Sequence, residues 1–330
     1  MPNILEVNNL KVYYHTSKGP VKAVEDVSFS LVPGERMGLV GESGSGKSTI
    51  ALALMKAHKY PASIENGEIM VGKTNLIDLD EEEMRKTRLK EIAMIPQGAM
   101  NSLNPVKRIK PQIMDALIDH DLKLSKTEKE DFLSKLMESV GLDYSVVNLF
   151  PHELSGGMKQ RVCIAISISM QPKVIIADEP TSALDVIVQR QVMETLYEVQ
   201  ENLGAACILI GHDMGLMAQF ADKIGIMYAG KLVEMGTVSD IFKKPKHPYT
   251  RLLIDSLPDT NSKRDLIGIP GIPPSLLNIE EGCSFCLRIG QKTTSKIPWV
   301  KVSKNHFYQK CTKCSNYGKS KKKSKRIINW

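Results

Sequence analysis

The sequence predicts an α/β fold: a mixed sheet flanked by helices, with an antiparallel β subdomain ahead of it and a helical subdomain inserted into it. Three observations carry that expectation. Short apolar runs of strand length recur at Arg36–Val40, Ile92–Ile95, Lys173–Ala177 and Ala206–Ile210, as strands buried on both faces require. A helical pattern over Val188–Leu203 separates the last two, and strand, helix, strand with buried strands is the mark of a parallel sheet with crossovers. Ahead of them, Ile4–Leu31 alternates apolar and polar residues around Val12, Val24, Val27 and Phe29, the period of strands with one wet face.

The elements follow in order. The polar stretch Thr16–Pro20 joins two antiparallel strands within Ile4–Leu31. Arg36–Val40 is a strand, glycine-rich sequence follows it, and Thr49–Lys56 has helical character. Glu68–Val71 and Ile92–Ile95 return to strand. From about residue 98 to 141 the chain turns helical, with Leu124, Phe132, Leu133, Leu136 and Met137 at helical spacing among charges. Pro245–Pro274 is rich in Pro and Gly and reads as an irregular extension. The expected division is therefore 1–244, with a helical subdomain at about 98–157, and a small C-terminal extension over 245–330.

Composition narrows the class. The chain has 330 residues, 42% hydrophobic and 25% charged, as ordinary globular proteins do. Its net charge of +7 is unevenly spread. Residues 287–330 hold 13 Lys or Arg and no Asp or Glu, which leaves 31 basic against 37 acidic residues before them, a net −6. The overall charge is therefore a weak pointer to nucleic acid. No run approaches the ~18 apolar residues of a membrane helix. The start of the sequence has no basic, then apolar, secretory pattern. Six cysteines in such a chain read as thiols or metal ligands, not as a disulfide framework. Cys163 and Cys207 lie in apolar patterns and are expected in the core.

Gly41-Glu42-Ser43-Gly44-Ser45-Gly46-Lys47-Ser48 matches G-x-x-x-x-G-K-[ST] between a predicted strand and a predicted helix, followed by Thr49. Glycines let the backbone wrap a phosphate so that N–H groups face its oxygens. Lys47 supplies an ammonium for the β/γ-phosphates and Ser48 a hydroxyl for Mg²⁺. The apolar run Lys173–Ala177 ends in Asp178, placed to hold Mg²⁺, and Glu179, placed to polarise a water. The motif predicts a P-loop nucleotide-binding fold.

Leu154-Ser155-Gly156-Gly157-Met158-Lys159-Gln160-Arg161 adds a second glycine-bearing helix start, 108 residues after Lys47 and 23 before Asp178. With the two motifs above, it resembles the signature sequence of the ATP-binding cassette superfamily. The resemblance spans about residues 4–240 and implies further roles. Gln97 resembles the glutamine that senses Mg²⁺ and the attacking water. Ser182-Ala183-Leu184-Asp185 resembles the loop that crosses the dimer interface, and His212 the histidine that contacts the γ-phosphate. Tyr14 resembles the aromatic that stacks on adenine, with Tyr13 beside it as the competing residue. In this family Ser155, Gly156 and Gly157 of one cassette complete the nucleotide site of a second, so a second ATPase subunit is implied, either a copy or a paralogue.

Gln97–Val106, Tyr228–Glu234, His247–Leu253 and Ile269–Leu276 resemble the ATPase subunits of dipeptide and oligopeptide importers. That resemblance implies two transmembrane permease subunits, an extracytoplasmic substrate-binding protein, and a peripheral place on the cytoplasmic face of the cell membrane. Importers of nickel and other solutes are close relatives. A nucleic-acid- or ribosome-handling ATPase of the superfamily is the competing class, disfavoured by a single cassette and by the 108-residue spacing.

The same subgroup carries a cysteine-held iron–sulfur cluster, within Gly-Cys-x-Phe-x-x-Arg-Cys and cysteines beyond it. Here Ile289 stands where that second cysteine is expected, and Cys286 is out of register. Read alone, Cys283-x-x-Cys286 and Cys311-x-x-Cys314, 24 residues apart, form a four-thiolate pattern of zinc-ribbon type, whose usual gap is ~15–20. A [4Fe–4S] cluster, Zn²⁺ and free thiols are the alternatives. The acid-free tail, holding both Trp299 and Trp330, raises one more: a shifted reading frame past codon 285.

Overall fold

The computed structural model describes residues 2–98, 102–257, 268–279 and 281–317. Strands β1 (Leu5–Thr16) and β2 (Gly19–Leu31) pair antiparallel about the predicted turn. With β4 (Ala62–Val71) and β5 (Thr74–Asn75) they form a four-stranded sheet in the order β2-β1-β4-β5. A second sheet of eight strands runs β11-β12-β10-β9-β3-β8-β7-β6. Its centre is parallel: β3 (Arg36–Val40) lies between β8 (Ala206–Gly211) and β9 (Lys223–Tyr228), and β7 (Val174–Asp178) between β8 and β6 (Ile92–Ile95). β10 (Lys231–Thr237) turns back antiparallel on β9.

The apolar runs are continuous because the sheet is covered twice. Val174 and Ile176 of β7, with Ala206, Ile208 and Ile210 of β8, face one core, shared with the antiparallel sheet and with α1 (Lys47–Leu54). Their neighbours Ile175, Ala177, Cys207 and Leu209 face the other, built with helices α3 (Ile109–Ile118), α4 (Lys126–Ser139), α5 (Gly156–Ile168) and α6 (Val186–Leu203). Each such Ile or Leu contributes roughly 1.5–3 kcal/mol by burial. Cys163 and Cys207 are core residues, and burial pushes their thiols up to about 11 and about 12.

The helical insertion starts with caps that the sequence carries. Ser125 and Glu128 form a capping box on α4, whose buried face is Leu133, Leu136 and Met137. Two 3₁₀ turns, Tyr144–Asn148 and Pro151–Glu153, lead into α5.

The extension is more regular than its composition suggests. It holds α9 (Pro248–Asp255), α10 (Ser284–Arg288) and the hairpin of β11 (Trp299–Lys301) with β12 (Phe307–Gln309). β12 pairs with β10, so the extension lengthens the main sheet. Pro and Gly mark the straps between these pieces: Leu276 and Asn278 exchange backbone hydrogen bonds with Lys22 and Pro20 at the start of β2, both at 3.0 Å. Phe285 packs on Tyr228, Tyr249 and His247 inside the helical-side core. Among the described residues, Tyr249, Ile254 and Phe285 from beyond 244 belong to the same core as Val233 and Phe242. Trp330, residues 99–101 of the Gln97–Val106 stretch and the lysine-rich end from 318 lie outside the described residues.

Candidate nucleotide site and thiolate cluster

The glycine-rich loop bridges the end of β3 and the start of α1, so the first N–H groups of α1 open into it. Its backbone needs glycine at two places for different reasons. Gly46 has φ 101° and a Cβ there would lie 2.1 Å from the Ala23 carbonyl; a Cβ on Gly41 would lie 2.1 Å from that of Met227. Lys47 Nζ folds back into the loop and donates to the carbonyls of Gly41 at 2.8 Å and Glu42 at 2.9 Å, and to Ser45 Oγ at 3.4 Å. Burial lowers the Lys47 pKa, opposed by the charges of Glu179, Asp178 and Glu42. A buried ammonium held only by neutral carbonyl and hydroxyl oxygens, beside the N-terminus of α1, suits a polyphosphate.

Three further strand ends meet this loop. Asp178, last residue of β7, is 2% exposed. It lies beside Ser48, whose hydroxyl favours its charged form, and its Oδ1 has no protein partner. A buried carboxylate oxygen without a donor, beside a hydroxyl, fits a divalent cation with oxygen ligands. Burial raises the Asp178 pKa, against the Ser48 hydrogen bond, and the neighbouring Glu179 charge raises it further. Glu179 sits at φ 46° with its N–H on the Ile210 carbonyl at 2.9 Å, which turns the side chain off the strand end. Gln97 Nε2, just beyond β6, donates to Glu179 Oε2 at 2.7 Å. His212, just beyond β8, places Nδ1 3.6 Å from Glu179 Oε1. Glu179, Ser182, Gly211 and His212 line one cleft at the carboxyl edge of the sheet, where open α/β folds place ligands.

Lys47, Ser48, Asp178, Glu179, Gln97 and His212 are thus brought together, though 165 residues of sequence separate the first from the last. Tyr14 Oη stands 3.5 Å from Thr49 Oγ1 in the first turn of α1. Tyr13 instead points to Glu25, at 2.5 Å, with Lys22 over its ring. Ser155 caps α5 through the Met158 N–H at 3.3 Å. Gly157 faces Val188, whose Cγ1 would meet a Cβ at 2.6 Å, so the Ser155–Gly157 turn sits against the start of α6, capped by Asp185. α5 packs on α3, α4, α6 and β6, whereas α1 packs on β1, β2 and β7. The two glycine-bearing helix starts are therefore built into different layers.

The second cluster lies in the extension. The thiols of Cys283, Cys286, Cys311 and Cys314 lie within 4.8 Å of one another, all buried. Cys283 and Cys314 are 3.7 Å apart and Cys286 and Cys311 3.4 Å, too far for disulfides of ~2.0 Å. Tetrahedral zinc with ~2.3 Å bonds to sulfur sets thiolates ~3.8 Å apart. A four-iron cubane gives each thiolate its own iron and spreads them further. The set fits one ion and not a [4Fe–4S] cluster. The Cys314 thiol 3.7 Å away favours the charged form of Cys283 and lowers its pKa, while burial raises that of Cys286.

His306 is no ligand: it is buried with Nε2 on Glu234 Oε1 at 2.7 Å. Residues 286–317 complete the thiol quartet, pair with β10 and satisfy buried Glu234. A shifted frame after 285 has no account of that fit, and we discard it for the described residues.

Tyr249, within the His247–Leu253 stretch, and Arg288, at the arginine of the cysteine motif, both bond Glu42 of the phosphate loop, a role that sequence reasoning missed. Their contacts span more than 200 residues, and no local pattern announces them.

The ABC transporter family matches residues 24–182, and the oligopeptide/dipeptide transporter C-terminal region matches residues 233–294. A dipeptide transport ATP-binding protein of Lactococcus lactis subsp. cremoris is 44% identical over 311 residues, covering 92% of this chain and 89% of that protein. An oligopeptide transport ATP-binding protein of Bacillus subtilis is 42% identical over 313 residues, covering 92% and 87%. Among solved structures, the dimeric ATP-binding cassette MJ0796, in a post-hydrolysis state bound to ADP and Pi, matches with a TM-score of 0.63 and 26% identity, over 71% of this chain and 98% of that one. A phosphate loop, a cation-ready Asp178 and a Glu179 held between Gln97 and His212 accompany these likenesses, and the chain belongs to the ABC transporter family, as an ATP-binding subunit akin to those of dipeptide and oligopeptide transporters.

Proposed function

We propose that the chain is the ATP-hydrolysing subunit that energises import of dipeptides or oligopeptides through separate membrane subunits. The observation that carries the chemistry is the convergence of Gln97 and His212 on Glu179 beside the Lys47 loop. Gly41, Ser43, Gly44, Ser45, Gly46, Lys47, Ser48 and Thr49 would cradle the triphosphate, and Tyr14 would stack on the adenine. Ser48 and Asp178, with Gln97, would hold Mg²⁺, which neutralises charge on the transferring phosphoryl group. Glu179 would orient and deprotonate the attacking water, with Gln97 fixing its carboxylate and His212 reaching the γ-phosphate side.

Residues 1–244 would form the ATPase domain and 245–330 its extension. Because the Ser155–Gly157 turn and the phosphate loop occupy different layers, each site would be completed by Ser155, Gly156, Gly157 and the Asp185 loop of a second cassette. Closure on ATP and reopening after hydrolysis would then drive two permease subunits, fed by an extracytoplasmic binding protein. Among the described residues no helix is long and apolar enough to cross a membrane, which suits a peripheral place on the cytoplasmic face. The similarity of residues 233–294 to the oligopeptide/dipeptide transporter C-terminal region supports peptides as cargo. The four thiols would hold one Zn²⁺ as a structural site closing the extension.

The test is reconstitution of the chain with its membrane partners in proteoliposomes. ATP-dependent uptake of a labelled dipeptide or oligopeptide is expected. Uptake of nickel alone, or of neither, would refute peptide import.

A further inference from the structure

Glu42, within the phosphate loop, is held from three sides. Its N–H donates to Tyr249 Oη at 3.1 Å. Its carbonyl accepts from Lys47 Nζ at 2.9 Å. Its two carboxylate oxygens accept from Arg288 Nη1 at 3.0 and 2.8 Å. Two of these holds come from the extension, through α9 and α10.

Arg288 is itself fixed. Nε donates to the Pro270 carbonyl at 2.7 Å, and Nη2 to those of Ile269 and Gly271, both at 3.0 Å. Its side chain is 3% exposed, with the Tyr228 ring 6.0 Å away. All of these bonds use the planar fork of a guanidinium, which an ammonium cannot imitate. Arg288 also ends the short helix that begins after Cys283 and contains Cys286.

A carboxylate in this place is a liability for an anion site. Left unpaired, Glu42 would repel the incoming polyphosphate and compete for the Lys47 ammonium. With its carboxylate neutralised and its peptide clamped, the same residue presents a carbonyl that parks Lys47 inside the loop. We infer that Arg288 is a positioning residue of the nucleotide site, acting through Glu42. The inference rests on the nucleotide-binding role proposed above and adds to it a residue of the extension. It also makes nucleotide affinity depend on the fold around the four thiols.

The test measures the Kd of the full-length chain for a fluorescent ATP analogue with Mg²⁺, alongside zinc content and melting temperature. Arg288→Gln should raise Kd about tenfold. Adding Glu42→Gln to it should bring Kd back to within about threefold of wild type, because the unpaired carboxylate is gone. The bonds to residues 269–271 stay lost in both, so a purely structural Arg288 would leave the double variant as weak as the single one. That result, or a single variant within twofold of wild type, overturns the inference. Should Arg288→Gln not fold, Arg288→Lys carries the comparison, since it keeps the charge without the fork. A Kd within about threefold of wild type then supports neutralisation of Glu42, and a tenfold rise refutes it. Lys47→Ala separates this inference from the reading beneath it. If that variant still binds as wild type does, the nucleotide site is elsewhere. If it loses binding while Arg288→Gln does not, only the role of Arg288 falls.

Discussion

Glu179→Gln isolates the proposed chemical step from nucleotide binding. Gln has the shape of Glu and retains a carbonyl oxygen for the Gln97 Nε2 donor, now 2.7 Å from the carboxylate. The backbone that aims the side chain, with its N–H on Ile210, is untouched. What disappears is the ability to take a proton from water, typically a factor of ~10²–10⁴, or about 2.7–5.5 kcal/mol of barrier. The phosphate loop makes none of its hydrogen bonds to Glu179, so ATP affinity should stay within about threefold. Phosphate release under saturating ATP, with Kd measured in parallel, reads the two quantities separately. Size-exclusion chromatography with ATP should show the variant trapped as a dimer of cassettes. Gln97→Ala, by contrast, removes one hydrogen bond to a charged group and should cost about 1.5–3 kcal/mol at most. Turnover of Glu179→Gln within about threefold of wild type would refute Glu179 as the base, whatever Gln97→Ala does.

Three further outcomes are expected. His306→Ala removes a donor from the buried carboxylate of Glu234, which among the described residues keeps the N–H groups of Lys246 and His247; a loss of about 2–4 kcal/mol should lower the melting temperature by roughly 3–6 °C, and an unchanged melt would contradict the burial of that pair. Burial raises the Asp178 pKa, so Mg²⁺ affinity by calorimetry should begin to fall above the usual carboxylate range of ~4 as pH drops. The sign for stability is opposite: the metal-free fold binds that proton more tightly than the unfolded chain, so this group favours the fold at low pH and opposes it above its raised pKa. Asp178→Asn should abolish that pH dependence of Mg²⁺ binding. Anaerobic purification followed by elemental analysis should give one zinc per chain without sulfide; a visible iron–sulfur absorption with about four irons per chain would overturn the single-ion reading of the thiols.

Sequence pattern reveals the fold where burial writes a local period. β6, β7 and β8 are legible because both faces are covered and every position before the strand-end Asp178 and Gly211 is apolar, and β1 and β2 because one face is wet. β9 and β10 escape a local reading because Gly225 and Gly236 interrupt them; a Cβ at Gly225 would meet Met37 at 2.5 Å, so that strand is glycine-bearing to admit a neighbouring side chain. The extension is illegible for another reason. Its order comes from long-range partners, with Asn278 on Pro20, Phe285 on Tyr228 and Cys311 on Cys286. The nucleotide motifs are legible because each must place fixed chemistry on a strand end or helix start. Arg288 falls on the arginine of Gly-Cys-x-Phe-x-x-Arg-Cys, but nothing local ties it to Glu42, 246 residues earlier, so its role at the phosphate loop is not legible. In the thiol site, spacing alone leaves zinc and a cluster open; the fold adds that the four sulfurs lie within 4.8 Å of one another.

The uneven charge now has a structural meaning. A nucleic-acid footprint gathers free cations on one face, yet two cations of the basic tail are engaged with acids of the cassette. Arg288 meets Glu42 in the phosphate loop, and Lys296 meets Asp26 of β2 at 2.7 Å. The two pairs are unequal. Lys296 is 80% exposed, so that bridge adds little to stability. Arg288 is buried, and removing either partner there leaves an uncompensated charge in the phosphate loop. The body with net −6 and the tail that outweighs it are therefore complementary where they touch, and the contact of consequence is the one that reaches the phosphate loop. An excess of +7, averaged over the chain, describes neither half; what the charge records is how an extension is held against the cassette it serves.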